Sequence, residues 1–157
     1  MNKLINNIDL STLPYRIDIK GNKIYADALR GKVYKELDKL LYEHHSYNKS
    51  GRDRVRFNLE GKYQGYSMYT SRFIFEVYFN TILPVDCHVH HINLNRSDDR
   101  LKNLLACENK KIHNKIHKLQ RKYKRNANFL AFLEGLAMSG KIVTSDTIHQ
   151  IKEIFGG

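Results

Sequence analysis

The chain has 157 residues, enough for one ordinary domain with a buried core that does not depend on disulfides. Its 41% hydrophobic and 11% aromatic content excludes a wholly unfolded basic tail, and no apolar run approaches the roughly 18 residues of a membrane span. The 27 Lys and Arg against 16 Asp and Glu leave a formal charge of +11, which directs attention to a polyanionic partner such as nucleic acid.

The opening stretch Met1-Asn2-Lys3-Leu4-Ile5-Asn6-Asn7 lacks the apolar segment of a signal peptide, so a soluble, intracellular, cytoplasmic protein with no membrane partner is expected. Residues 15–25 alternate apolar and polar around a Gly-Asn turn and read as a small hairpin. From Ala26 to about His45, the apolar positions Leu29, Val33, Leu37, Leu40 and Leu41 recur at helical intervals and predict an amphipathic helix despite Gly31. His44 and His45 then fall at its end, where the helix dipole favours them. Asn48 to Arg52 is a loop by composition. Arg54 to Tyr69 reads as a strand, a turn at Glu60-Gly61 and a second strand. Arg72 to Asn80 follows as a short aromatic helix opened by Ser71, and Pro84 ends what precedes it.

Cys87 and Cys107 form no Cys-x-x-Cys pair, which excludes a disulfide scaffold and a four-cysteine zinc site; both are expected as small buried residues. Cys87 to Ile92 alternates like a strand, so His90 and His91 leave the backbone on different sides. Five of the eight histidines lie between positions 88 and 117. A polar loop from Asn93 to Arg100 leads to Asn103-Leu104, and the chain then enters its most basic stretch. Residues 110–125 hold Lys110, Lys111, Lys115, Lys118, Arg121, Lys122, Lys124 and Arg125 with no acid, while Ile112, Ile116, Leu119 and Tyr123 draw one apolar seam along a helix. A solvated face normally mixes signs, so this helix is expected to touch phosphate. His113 and His117, four apart beside that seam, can converge on an ion. Taken alone, surface histidines on a phosphate-binding helix would account for the pair almost as well. Beyond it, Asn128 to Met138 forms a helix stopped by Gly140, and Thr144 or Ser145 caps another carrying Ile148, Ile151, Ile154 and Phe155. Residues 126–157 carry more acid than base, which suits a packing or dimerisation hairpin better than a helix-turn-helix reader.

The segment Val89-His90-His91-Ile92-Asn93, the loop with Asn95-Arg96, Asn103-Leu104, and His113 followed by His117 resemble the HNH nucleases, especially the phage-type homing endonucleases of the ββα-metal class. Ser71 to Phe79 and Leu83-Pro84 look like the helix and entry loop that precede that motif. The resemblance spans about 71–118. It implies an α+β fold of small β-hairpins and helices around a ββα-metal core with a helical C-terminal extension. The expected parts are an N-terminal DNA-contacting region (1–70), the core with its basic helix (71–125) and a helical hairpin (126–157).

What the resemblance implies for function is a metal-dependent endonuclease that hydrolyses DNA phosphodiester bonds, in the host cytoplasm if the chain is viral. His91 matches the general base, His90 the first metal ligand, and Asn103 the amide that braces the loop behind the base. His113 matches the last motif position, a metal ligand, and His117 the additional ligand of the His-rich branch. Arg96 and Arg100 are candidates for holding phosphate beside the site. The implied cofactor is one divalent ion, Mg²⁺ or Mn²⁺ for turnover, although an all-imidazole set also suits Zn²⁺ or Ni²⁺. Two departures stand out: the step from Asn103 to His113 is one residue longer than usual, and the cysteines of the zinc-stabilised branch are missing. A single such unit cuts one strand, so duplex cleavage calls for a homodimer or successive nicks. Two other readings remain open, a non-cleaving DNA-binding protein on the same scaffold and a nuclease toxin.

Overall fold

The computed structural model describes residues 3–4, 8–18, 20–37, 40–44, 52–57 and 66–156. It is an α+β fold with four α-helices and small antiparallel sheets among these residues. The chain forms two compact units, Met1–Thr81 with Arg96–Arg100, and Ile82–Asn95 with Leu101–Gly157. No helix among the described residues is long and apolar enough to cross a membrane.

The first unit carries a five-stranded sheet and a two-stranded one. The strands β1 (Lys3–Leu4), β2 (Tyr15–Ile17), β3 (Lys23–Asp27), β4 (Lys32–Leu37) and β5 (Leu40–Glu43) lie in the order β1-β5-β4-β3-β2. The hairpin expected over 15–25 is present as β2 and β3, with Gly21 at φ 78° in its turn. β6 (Arg54–Phe57) pairs with β7 (Tyr66–Tyr69), as the alternation over 54–69 predicts; the turn at 60–61 lies outside the described residues. Helix α1 (Thr70–Tyr78) buries Phe73, Ile74, Phe75 and Val77 and packs on β3, β4, β6 and β7. Its Glu76, 1% exposed, is held by Arg16 and Arg72 at 3.0 Å each, so the buried carboxylate is paired rather than reactive.

The helix expected over 26–45 is instead the end of β3, a turn, β4 and β5. Asp27 closes the turn: its carboxylate accepts from Arg30 N at 3.0 Å and its carbonyl from Gly31 N at 2.8 Å. Gly31 sits at φ 68°, a left-handed conformation that ends helix and favours a reversal. The β-branched and aromatic residues beyond it then pair with β3 in the register Ala26↔Val33 and Tyr25↔Tyr34, all four buried. Leu29, the first position of the apparent helical stripe, is 80% exposed at the turn. His44 therefore follows a strand, and its Nε2 lies 3.1 Å from the Arg54 carbonyl oxygen; His45 and 48–51 lie outside the described residues.

A Cβ at Gly31 would come within 2.4 Å of Arg100 N and 2.5 Å of the Asp99 carbonyl carbon. Gly31→Ala therefore adds a backbone clash to an unfavourable φ, and about 1–3 kcal/mol of stability or more should be lost. Urea unfolding measures this, and a variant within about 0.5 kcal/mol of the parent would contradict the tight approach.

The second unit begins with an irregular stretch and then β8 (His88–His91), a 3-10 turn at Leu101–Asn103, and β9 (Leu104–Cys107), paired antiparallel. Helix α2 (Lys110–Tyr123) follows and packs on both strands. Helices α3 (Ala127–Ser139) and α4 (Ser145–Phe155) complete the unit. Asn126 caps α3, and Gly140 ends it at φ 69°. Thr144 caps α4 in a capping box with Thr147. Both helices bury Phe129, Leu133, Ala137, Ile148 and Ile151 in one core with Ile92, Leu105, Ile112, Ile116 and Leu119. The C-terminal helices thus serve as packing partners of the hairpin and α2. Ile154 departs from the expected apolar face, at 60% exposed, while the Phe155 ring packs on Phe129 at 5.4 Å between centroids. Both cysteines are buried free thiols, and burial pushes Cys107 up to about 12, which leaves it inert.

Candidate metal centre

Side-chain alternation along β8 places His88 and His90 on one side of the strand and Val89 and His91 on the other. The register His90↔Leu105 and His91↔Leu104 is anchored by β9, whose four residues are all buried. A second tie comes from Val143, whose N–H donates to the Ala106 carbonyl at 2.8 Å. On α2, Ile112, Ile116 and Leu119 are sunk in the core and fix the helix rotation. That rotation brings the positions one residue past the seam, His113, His117 and Gln120, alongside β8. Asn109 caps the helix by accepting from Ile112 N at 3.0 Å, so its first turn starts at a defined residue.

The outcome is a cluster of three imidazoles. His90, His113 and His117 each present a ring nitrogen, and these three atoms lie within 4.8 Å of one another. The rings stand nearly perpendicular: 70° between His90 and His113, 87° between His90 and His117, and 88° between His113 and His117, with centroids 5.0, 4.5 and 4.7 Å apart. Edge-to-face rings also occur in plain aromatic packing, so the fit to one shared cation rests on the three converging ring nitrogens. His90 Nδ1 lies 3.2 Å from His113 Nε2. Two imidazole nitrogens bound tetrahedrally to one ion at 2.0–2.1 Å would be separated by about 3.3 Å, so the donor set fits a divalent ion. His90 is 1% exposed, and burial pulls its pKa down to about 3; the hydrogen bond to Gln120 opposes that fall, while the His117, His113 and His91 rings add to it. Its lone pair is therefore available to a cation across the physiological range. With both His113 and His117 in the cluster, the extra residue between Asn103 and His113 removes neither from the site.

His91 is not one of the three. It is 9% exposed and starts the turn in which Leu94 N donates to the His91 carbonyl at 3.0 Å, with Leu94 at φ 64°. Asn103 braces that turn as expected. Its Oδ1 accepts from Asn93 N at 2.8 Å, its Nδ2 donates to Asn93 Oδ1 at 2.9 Å, and its carbonyl accepts from Ile92 N at 2.9 Å. His91 is thus adjacent in sequence to a cluster histidine and outside the cluster, and the turn that follows it is held by Asn103.

The expected cationic surface is present on α2. Lys110, Lys111, Lys118, Arg121 and Lys122 are exposed, as are Lys124 and Arg125 just after it, and Lys115 is half-buried. Lys110 and Lys111 occupy the first turn, where the helix dipole disfavours cations. Helix stability therefore does not explain them. Arg96 and Arg100 are exposed too, but the Arg100 guanidinium is closed on Asp98 with contacts of 2.8 and 2.6 Å, so its fork is engaged within its own loop.

Two residues near the cluster escape the sequence reading. His88 stacks on His113 with ring centroids 5.7 Å apart, and its two-residue spacing from His90 on the strand was the available signal. Gln120 bonds His90 directly, and its position three residues after His117 on the helix was the corresponding clue. No protein-family model, curated protein or solved structure matches the chain.

Proposed function

We propose that the chain is a metal-dependent endonuclease of the HNH type, built on β8, β9 and α2 as a ββα-metal unit, that hydrolyses DNA phosphodiester bonds. The observation that carries this reading is the meeting of His90 from the strand with His113 and His117 from the helix, with His91 adjacent and outside the group. His90, His113 and His117 would hold the ion. A divalent ion bound there supplies Lewis-acid polarisation of the phosphoryl group and offsets charge on the leaving 3′-oxygen.

The protein's own groups do the rest. His91 takes a proton from water as the water oxygen attacks phosphorus, the bond from phosphorus to the 3′-oxygen breaks, the leaving 3′-oxygen takes up a proton from solvent, and His91 gives its proton back to solvent. Asn103 keeps the turn after His91 from relaxing, and the cations of α2 hold the phosphate backbone against the site. The test is conversion of supercoiled plasmid to nicked or linear forms in the presence of Mg²⁺ or Mn²⁺. An intact plasmid with DNA binding retained would leave a non-cleaving binder, and indiscriminate degradation would favour a toxin.

Binding should be strongly salt-dependent. Neutralising about six phosphates gives log K a slope of about −5 against log salt. Replacing Lys118, Arg121 and Lys122 together by Gln should reduce that slope by about 2–3 and weaken all sequences alike. Replacing Lys141 and Lys152 instead should leave it within about 0.5. Fluorescence anisotropy over a salt series reads both, and a slope unchanged by the α2 substitutions would remove this helix from the interface.

A further inference from the structure

The Gln120 side chain is 6% exposed and makes two hydrogen bonds inside the second unit. Its Nε2 donates to the Ile92 carbonyl at 2.7 Å, and its Oε1 lies 2.6 Å from His90 Nε2. The first bond fixes the orientation of the second. Were the amide turned over, Oε1 would face the Ile92 oxygen, setting two acceptors against each other in a buried place. With the amide held this way, only an acceptor faces His90 Nε2, so that nitrogen must carry the hydrogen. A neutral imidazole has one N–H, which leaves Nδ1 with the lone pair. Nδ1 is the atom that lies 3.2 Å from His113 Nε2, in the mouth of the histidine cluster.

We propose that Gln120 is a positioning residue that locks His90 as the Nε2–H tautomer and aims its Nδ1 lone pair into the cation site. The inference rests on the metal-centre reading. The Ile92 carbonyl orients Gln120, Gln120 orients His90, and β8 and α2 are thereby tied by a polar chain buried at each link. An imidazole without such a partner divides its hydrogen between two nitrogens and rotates about its side-chain bonds, and each alternative presents the wrong atom to the ion. Packing alone would have been served by an apolar residue at position 120, because the neighbours Ile116 and Leu119 are apolar and buried.

The first arm of the test is long-range ¹⁵N–¹H correlation NMR of the metal-free, full-length chain. The expected result is His90 in the Nε2–H form in the parent, and a mixture with the Nδ1–H form in Gln120→Met. The second arm is Co²⁺ titration followed by visible absorption. Gln120→Met should bind about 10–100-fold more weakly. Gln120→Leu, which also removes the acceptor and sets no oxygen against the Ile92 carbonyl, should weaken binding to the same degree. Circular dichroism confirms that each variant is folded, and the Leu variant serves if the Met variant is not. A parent that takes up no Co²⁺ would overturn the metal-centre reading, while the tautomer measurement would still stand on its own. A parent that binds Co²⁺ with His90 as the Nδ1–H form, or a folded Gln120→Met with parental affinity, would overturn the role of Gln120 and leave the metal centre intact.

Discussion

His91→Ala is expected to lower plasmid nicking by about 10²–10⁴-fold, the usual contribution of a positioned general base. Co²⁺ affinity and DNA affinity should stay within about threefold of the parent, because neither the cation ligands nor the phosphate contacts are removed. The expectation follows from the separation of roles on β8. His90 joins His113 and His117, and His91 does not. The turn that follows His91 is held by three hydrogen bonds to Asn103, more restraint than an idle surface turn needs. Gel quantification of nicked product against time, with circular dichroism to exclude unfolding, measures the effect. A folded His91→Ala that cuts at the parental rate would assign the base elsewhere, with His88, exposed and stacked on His113, the next candidate.

The second large effect concerns the cluster. His113→Ala removes the ring whose Nε2 lies 3.2 Å from His90 Nδ1 and leaves two of the three donors. Losing a direct ligand should weaken Co²⁺ binding by more than about 100-fold, beyond the range seen when only a ligand's partner is removed. Cleavage should fall with it at limiting metal and recover in part as Mn²⁺ is raised. DNA binding should persist with the same salt slope, because the cations proposed to meet phosphate lie on the exposed face of α2, away from the seam. Calorimetric titration and anisotropy on the same sample separate the two. A His113→Ala chain that binds Co²⁺ as tightly as the parent would show that the ion is held by other residues.

The contrast between α2 and residues 26–45 shows which features were legible in the sequence. Along α2, the apolar seam, the cation run and the pair of histidines all have helical period, so local pattern and tertiary outcome agree. Over 26–45 the leucines also recur at helical spacing, but Asp27 and Gly31 close a turn inside the segment, and the residues after it find strand partners in Tyr25 and Ala26. Pairing with a neighbouring strand is a tertiary event that periodicity within one segment does not encode, and it outweighed the helical pattern.

The site divides in the same way. His90 and His91 are distinguishable from alternation, and the bracing by Asn103 was expected. Gln120 was not, because its partners Ile92 and His90 stand 28 and 30 positions away in the chain, and its chemistry exists only once the hairpin meets the helix. An amide among lysines reads as one more surface residue until its burial is known.

Anomalous diffraction from crystals grown with Zn²⁺ tests the three-histidine centre most directly. The account predicts one strong peak per chain, about 2.0–2.1 Å from His90 Nδ1, His113 Nε2 and a ring nitrogen of His117. No peak there, or zinc bound through His90 Nε2 with Gln120 displaced, would contradict it.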